Sequence, residues 1–370
     1  MNGSDDDFIY QKMITYMGNK RKLIPEIEKI IIHVCHQLKK NKLNLFDCFS
    51  GSSVVSRLFT KYAHNLYSND MELYAFIINQ CFIQKPNYEE IKIIRYHINQ
   101  MNKIAEEGPY IEGVICKLYA PKDSDNIQKG ERCFYTKENA RIIDTLRKYI
   151  EENVHSSLFE YCITPLLIQA SIHVNTSGQF KGYHKNKETG LGQWGGTAKN
   201  DLKRIMGRIH LELPVWSKKE YNSYIYQKDI NHLIHDVPNT FDLIYLDPPY
   251  NIHGYSNNYY MFDIIIHNKE PQQISKISGI PVDWTRSTYN YKKSAFLSMK
   301  ELLQISLQKS KYVLLSYNNE GIISSDEWKI LFDPYIVTTY TFRYDTYKGS
   351  RNLKERENKV TEILYLIKNK

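Results

Sequence analysis

Short apolar runs alternate with longer amphipathic stretches along the first part of the chain. Over residues 22–38 the apolar positions recur at steps of three and four, which predicts an amphipathic helix. The runs at residues 43–46 and 65–68 predict strands, and each precedes a helical pattern, over residues 54–62 and 73–83. Strands that alternate with helices in this way are typical of a parallel sheet covered by helices on both faces.

The pattern changes in the middle of the chain, where helical stretches such as residues 138–152 are interrupted by loops rich in Gly, Lys and aromatic residues. We interpret residues 86–215 as an inserted lobe, and residues 8–85 and 216–370 as the two parts of one α/β domain. That domain resumes with two buried parallel strands at residues 241–246 and 311–316. Two further β-rich segments, at residues 335–344 and 360–367, predict a C-terminal antiparallel strand pair.

Composition and charge narrow the class of protein. The chain has 370 residues, with 49 Lys and Arg against 41 Asp and Glu, and this excess of positive charge suits a polyanionic partner. Its six cysteines are scattered without a Cys-x-x-Cys pair, so we expect reduced thiols and no metal site. The acidic start and the lack of a membrane-length apolar window predict a cytoplasmic protein with no membrane partner.

The sharpest chemical signal is Asp247-Pro248-Pro249-Tyr250, directly after the run at residues 241–246. In open α/β sheets ligands bind beyond the carboxyl ends of the strands, so these residues should face a substrate crevice. An aspartate carboxylate and a proline carbonyl can accept the two hydrogens of an exocyclic amine, which frees the lone pair of its nitrogen. The tyrosine ring can stack on a planar base. A rigid turn, with Asp as a cap and Tyr as packing, is the alternative.

A second signal is the turn Phe49-Ser50-Gly51-Ser52-Ser53 between a predicted strand and a predicted helix. Its small side chains would let a ligand approach the backbone closely. The turn lacks the Gly-x-Gly-x-x-Gly order of a dinucleotide site, and Asp70 ends the next strand, where an acidic residue typically binds ribose hydroxyls. Together the two features predict a nucleoside cofactor. A helix cap is the alternative role for Asp70.

In their order along the chain, these motifs resemble those of the Dam-like class of adenine-N6 DNA methyltransferases. The likeness extends to Tyr16-Met17-Gly18-Asn19-Lys20, which resembles the first cofactor motif of that family, and to residues 315–321. It implies catalytic roles for the tetrad Asp247, Pro248, Pro249 and Tyr250. It also implies cofactor-binding roles for Tyr16, Gly18, Lys20, Phe49, Gly51, Ser53, Asp70, Asp229 and Ile230, with Lys20 near the methionine carboxylate.

Two positions depart from the family pattern. Ser53 stands where the family usually has a second glycine, so the backbone path of this turn need not be the usual one. Residues 175–180, Asn-Thr-Ser-Gly-Gln-Phe, only partly resemble the family's Asn-x-x-Gly-x-Phe-Asn stretch, because Lys181 follows in place of Asn. The sequence specificity of the family's members therefore does not transfer to this chain.

The resemblance implies an S-adenosylmethionine-dependent methyltransferase fold and methylation of adenine N6 in a specific sequence of double-stranded DNA, with the target base flipped out of the helix. It also implies a modification enzyme of a restriction–modification system, with a cognate restriction endonuclease as a possible partner. An RNA adenine methyltransferase and a catalytically silent DNA-binding subunit remain alternatives. Methylation of protein glutamine would call for Asn at position 247.

Polar and basic residues of two loops are candidates for gripping the DNA backbone. Asn175, Lys181 and Lys185 lie in the inserted lobe, and Lys348 and Arg351 lie in the loop before the last predicted strand. Cations in such loops can bind phosphates and so offset the cost of unstacking a base. Solvated surface charge is the alternative interpretation for each of them.

Overall fold

The computed structural model describes residues 5–11, 13–252, 254–283, 285–345 and 359–370. Within them the strands are β1 (Leu43–Asp47), β2 (Ala63–Asn69), β3 (Asn222–Tyr226), β4 (Phe241–Leu246), β5 (Ser310–Asn318), β6 (Tyr335–Asp345) and β7 (Lys359–Asn369). The helices are α1 (Asp5–Tyr10), α2 (Ile24–Leu38), α3 (Val54–Phe59), α4 (Leu73–Ile83), α5 (Tyr88–Glu107), α6 (Val114–Tyr119), α7 (Lys137–Asn153), α8 (Phe159–Ile172), α9 (Leu202–Ile205), α10 (Ile230–Asp236), α11 (Tyr255–His267), α12 (Lys292–Lys309) and α13 (Ser325–Phe332). None of these helices has the length and apolar character needed to cross a membrane.

The strands form one sheet in the order β3-β2-β1-β4-β5-β7-β6. The first five strands are parallel, whereas β7 runs antiparallel between β5 and β6. This mixed sheet confirms the predicted α/β class and its C-terminal antiparallel pair. From β1 the chain continues to β2 and β3 on one side of the sheet, and from β4 it continues to β5 on the other side. The gap between the carboxyl ends of β1 and β4 is therefore the switch point at which such sheets bind ligands.

Helices cover both faces of the sheet because alternate side chains of each buried strand point to opposite sides. All six residues of β4 are buried. Leu243 and Tyr245 join the apolar core beneath α2, α4 and α8, while Ile244 and Leu246 join the core beneath α10, α12 and α13. A central strand with two apolar faces gives the loop that follows it a rigid base.

Helices α5 to α9 occupy the segment that interrupts the sheet between β2 and β3. The apolar side chains of α5 to α8 belong to the same core cluster as those of α2 and α4. The Arg147 guanidinium donates to the carbonyls of Ile265 and Ile266 in α11, and Trp216 Nε1 donates to the Cys81 carbonyl in α4. The helical segment thus packs against the elements that flank the switch point.

Candidate active site

A cleft of about 640 Å³ lies at the carboxyl ends of β1, β2 and β4. The sequence-predicted residues that line it are Tyr16, Gly18, Phe49, Asp70, Asp229, Ile230, Asp247 and Pro249. A smaller cavity of about 280 Å³ shares Tyr16, Gly18, Phe49 and Asp247 with the cleft and is also lined by Lys20 and Gly51. Residues from widely separated motifs therefore meet at the switch point.

Asp70 joins the turn after β1 to the turn after β2. Its Oδ2 accepts from the backbone N–H of Gly51 at 2.8 Å, and its Oδ1 accepts from the N–H of Glu72 at 2.9 Å. Burial raises the pKa of this carboxyl to about 6, although these backbone donors favour its charged form. The N-cap of α4 is Glu72. Asp70 therefore bonds to the backbone just ahead of α4 rather than at its N-cap, and it orders two turns at the edge of the cleft.

Gly51 and Ser53 both adopt positive φ in the turn after β1, with values of +48° and +66°. A Cβ on Gly51 would lie 2.9 Å from Cε1 of Tyr16, so the close approach of that ring requires glycine here. Ser53 is fully buried at the N-cap of α3. It lies outside the linings of both cavities, so it shapes the turn rather than facing the cleft.

Asp247 follows β4 directly and lies at the junction of the two cavities, with 16 % of its side chain exposed. Its Oδ2 lies 2.8 Å from Lys20 Nζ. Burial raises the pKa of Asp247 to about 6, and the nearby Lys20 cation opposes this rise. Among the described residues, its buried Oδ1 has no hydrogen-bond partner. That oxygen is an acceptor which a ligand could use.

Lys20 is 4 % exposed, and three acceptors surround its ammonium. Besides Asp247, these are the Gly18 carbonyl at 2.9 Å and Glu362 Oε1 at 3.2 Å. A methionine carboxylate beside Lys20, as the resemblance implies, would have to compete with two carboxylates already there.

Glu362 belongs to β7, and sequence reasoning missed it. It is fully buried, and its Oε1 accepts from Ser316 Oγ on β5 at 2.6 Å. The sequence does contain a sign of it. Glu362 alternates with Leu364 and Leu366, so a charged residue falls on the buried face of a predicted strand.

Tyr250 packs its ring edge-on against Tyr317, with 5.9 Å between centroids. Its carbonyl accepts from the N–H of Ile322 at 3.0 Å, so the segment after β5 supports the tetrad from one side. Lys20 Nζ lies 5.7 Å from the Tyr250 ring centroid. Pro248 and Tyr250 are not part of the cleft lining, although their tetrad neighbours Asp247 and Pro249 are.

Tyrosine side chains form one wall of the cleft. The Tyr16 ring stacks on Tyr255 and Tyr259 of α11, with centroid separations of 5.1 and 5.0 Å. Tyr259 Oη accepts from the N–H of Met17 at 2.7 Å. The N-terminal motif is therefore fixed to the helix that follows the tetrad.

Asp229 and Ile230 mark the start of α10 on the opposite side of the cleft. Asp229 caps the helix by accepting from the N–H of Asn231 at 2.8 Å. Ile230 contributes an apolar surface to the lining. Other lining residues that sequence reasoning did not select are Cys48, Asn69, Met71, Glu72, Lys228, Tyr255, Ser287, Tyr289 and Asn290.

Three candidate DNA-binding residues, Asn175, Lys181 and Lys185, are not part of the cleft lining. Asn175 is fully buried, with its Nδ2 donating to the Cys133 carbonyl and its Oδ1 accepting from the N–H of Gly195. This placement does not fit contact with DNA; the side chain braces the loops of the helical segment instead. Lys181 and Lys185 are half-buried, and Lys185 Nζ lies 4.9 Å from the Tyr183 ring centroid. Lys348 and Arg351 lie outside the described residues.

Comparison with known proteins identifies one family over most of the chain. Residues 16–329 match the D12 class N6 adenine-specific DNA methyltransferase family. Modification methylase StsI of Streptococcus sanguinis is 26% identical over 374 residues, covering 96% of this chain and 52% of the relative. Type II methyltransferase M.FokI of Planomicrobium okeanokoites is 25% identical, and the match covers 95% of this chain and 52% of the relative. Type II methyltransferase M.NlaIII of Neisseria lactamica is 26% identical, and the match covers 96% of this chain and 99% of the relative. The chain thus spans about half the length of the first two relatives and nearly all of the third.

Proposed function

Because the chain belongs to the D12 class of N6 adenine-specific DNA methyltransferases, we propose that it transfers a methyl group from S-adenosylmethionine to N6 of adenine in double-stranded DNA. The observation that carries this proposal is the Asp247 carboxylate. It lies beside a lysine, and its buried Oδ1 has no partner among the described residues, at the point where the two cavities meet. An acceptor in that position is suited to a hydrogen of an exocyclic amine.

The residues around the cavities fit S-adenosylmethionine. Asp70 lies where it can accept from ribose hydroxyls, and Ile230 offers an apolar surface for the adenine ring. In the smaller cavity, Asp47 Oδ1 is buried without a partner among the described residues, so it can accept from an α-ammonium group. When bound, the cofactor supplies a methyl group activated by a positively charged sulfur.

The tetrad then acts on the target amine. The Asp247 carboxylate and the Pro248 carbonyl would accept the two amine hydrogens and so leave the nitrogen lone pair free for methyl transfer. Because only 16 % of the Asp247 side chain is exposed, its charge stabilises a developing positive charge on nitrogen more strongly than it would in solution. Tyr250 stacks on the base and holds its plane.

Reaching the target adenine requires flipping it out of the duplex, at a cost of a few kcal/mol. Phosphate contacts from Lys181, Lys185, Lys348 and Arg351 would offset this cost. We assign recognition of a specific DNA sequence to the inserted lobe at residues 86–215. Its position between the cofactor turn and the tetrad, and its polar loops, support that assignment. The names of the relatives support a role as the modification enzyme of a restriction–modification system. A cognate endonuclease of such a system would act on the same site.

One assay separates this function from its alternatives. The purified protein is incubated with labelled S-adenosylmethionine and duplex DNA, duplex RNA or no nucleic acid. We expect label only on the DNA, and none with Asp247→Ala. Label on the RNA would support an RNA methyltransferase, and no label with DNA binding intact would support a silent subunit. Sequencing DNA from expressing cells for methylated adenine then gives the target site.

A further inference from the structure

Glu362 enters the active site from the antiparallel part of the sheet. It lies on β7 opposite Asn318 of β5, and its side chain is fully buried. The hydrogen bond from Ser316 at 2.6 Å fixes the carboxylate, which faces Lys20 at 3.2 Å. A buried charge is costly unless other groups compensate it, so this placement needs a reason.

Lys20 connects Glu362 to the tetrad. Its ammonium has three hydrogens, and the Gly18 carbonyl, Asp247 and Glu362 provide three acceptors within 3.2 Å. With all three in place, a long and flexible side chain is held in one orientation. Without Glu362, one hydrogen would lose its acceptor, and the ammonium could move towards Asp247.

The charges in this cluster do not balance as a simple pair. One cation faces two carboxylates, whereas Lys20 with Asp247 alone would form a neutral pair. In a neutral pair the lysine would withdraw negative charge from the Asp247 carboxylate, and the amine would meet a weaker acceptor. We propose that Glu362 is a positioning residue for methyl transfer. By sharing Lys20 with Asp247, it holds the ammonium in place and keeps the Asp247 carboxylate a strong acceptor.

This inference rests on the proposed function, because it assigns Asp247 to the reacting amine. The direction of the charge effect follows from the neighbours of Asp247. Glu362 raises the pKa of Asp247 and Lys20 lowers it, while burial gives the largest rise. Among the described residues, Asp47, Tyr245 and Tyr255 also interact with Asp247, and Tyr250 and Tyr245 interact with Lys20.

The test replaces the charge of Glu362 and keeps its shape. In Glu362→Gln the amide oxygen can still accept from Ser316 and Lys20, but one negative charge is gone. Infrared titration of the full chain, with the Asp247 band identified by subtracting the spectrum of Asp247→Asn, measures the midpoint of this carboxyl. We expect the midpoint to fall by roughly half a pH unit or more in Glu362→Gln. Glu89→Gln, an exposed carboxylate on α5, is the control and should leave the midpoint in place.

Single-turnover methylation of duplex DNA gives the second measurement. The acid limb of the rate should move to lower pH in Glu362→Gln, and the plateau rate should fall about three- to tenfold because a less basic carboxylate is a weaker acceptor. If this variant does not fold, Glu362→Asp is the substitute, because its shorter side chain keeps the charge but holds it farther from Lys20. The Asp247 midpoint should then also fall, but by less. An unchanged or raised Asp247 midpoint in folded Glu362→Gln would overturn the proposal. A wild-type chain that methylates no DNA would contradict the proposed function, whereas the infrared midpoint still decides the role of Glu362.

Discussion

The backbone N–H of Gly51 donates to Oδ2 of Asp70 at 2.8 Å, and this one hydrogen bond joins the turn after β1 to the turn after β2. The same carboxylate lines the larger cleft. A cofactor bound there would therefore contact two turns that are already fixed to each other.

Asp70→Ala should weaken the binding of S-adenosylmethionine about ten- to a hundredfold, since hydrogen bonds to a charged group contribute about 1.5–3 kcal/mol. Calorimetry in the absence of DNA measures the affinity. Asp326→Ala removes a carboxylate that is 87 % exposed on α13 and should bind like the wild type. Unchanged binding in Asp70→Ala would remove Asp70 from the cofactor site.

Tyr250→Phe should keep much of the methylation rate, because the ring face that stacks on the base remains. In Tyr250→Ala the single-turnover methylation rate should fall about five- to two-hundredfold, which corresponds to about 1–3 kcal/mol of stacking. This variant should still bind S-adenosylmethionine. Asp247→Ala should be slower than either, since no other side chain of the tetrad can accept the amine hydrogen. If Tyr250→Phe were folded yet as inactive as Asp247→Ala, the hydroxyl rather than the ring would be needed.

Gly18→Ala separates backbone strain from crowding in the cleft. Gly18 has a φ of +75°, and a Cβ there would lie 2.9 Å from Tyr250 Oη. Gly130 has a φ of +94°, but a Cβ would meet nothing within 4 Å. Both alanine variants should lose ~1–2 kcal/mol of unfolding free energy, measured in urea. Only Gly18→Ala should also slow methylation, by about tenfold or more, because Tyr250 has to move. Equal activity of the two variants would argue against a catalytic position for Tyr250.

Glu72 makes the stability of the protein depend on pH. Burial is the largest cause that raises its pKa from 4.5 to about 8, with Asp70 and Asp263 adding to the rise. Its stabilising contribution is therefore complete below about pH 4.5 and is lost as the pH rises through about 8. Glu72→Gln should flatten the fall in unfolding free energy between these pH values, whereas Glu152→Gln, an exposed carboxylate on α7, should not. Urea unfolding at several pH values measures how steeply the unfolding free energy falls with pH. The same slope in wild type and Glu72→Gln would contradict a contribution from Glu72.

Lys185 and Lys92 form a matched pair for testing the DNA surface. Each ammonium lies over a tyrosine ring, at 4.9 Å from Tyr183 and 4.3 Å from Tyr88 respectively. If Lys185 binds a phosphate, Lys185→Ala should weaken binding to any duplex and reduce the slope of log affinity against log salt by about one. Lys92→Ala, on α5, should leave the slope unchanged. Fluorescence anisotropy at several salt concentrations distinguishes them, and equal slopes would show that Lys185 is solvated surface.

Much of the fold could be predicted from periodicity, because the central strands β4 and β5 are apolar on both faces. The predicted helix at residues 73–83 and the strand at residues 241–246 have the bounds found in α4 and β4. The helix predicted over residues 54–62 ends earlier, at Phe59, because the chain turns into β2 at Ala63. Strand β3 was not predicted. It is a short edge strand whose residues are exposed or only partly buried, so it lacks the apolar run that marks β4.

The site could be predicted only where its residues form local motifs. Tyr16, Asp70 and Asp247 belong to such motifs, and the structure brings them to one cleft. Glu362 has no motif, and its role depends on β7 pairing with a strand far away in sequence. Asn175 shows the opposite error, because a polar residue in a loop-rich stretch gives no sign that surrounding loops will bury it.

The position of β7 also sets the order in which the active site can be assembled during synthesis. This strand lies between β5 and β6, so β6 has no neighbour in the sheet until β7 arrives. Glu362 leaves the ribosome after Lys20 and Asp247, and it brings the last charge of their cluster. A nascent chain that has already exposed the turn after β1 and the segment after β4 therefore still lacks Glu362, and it completes this charge cluster only when β7 inserts into the sheet.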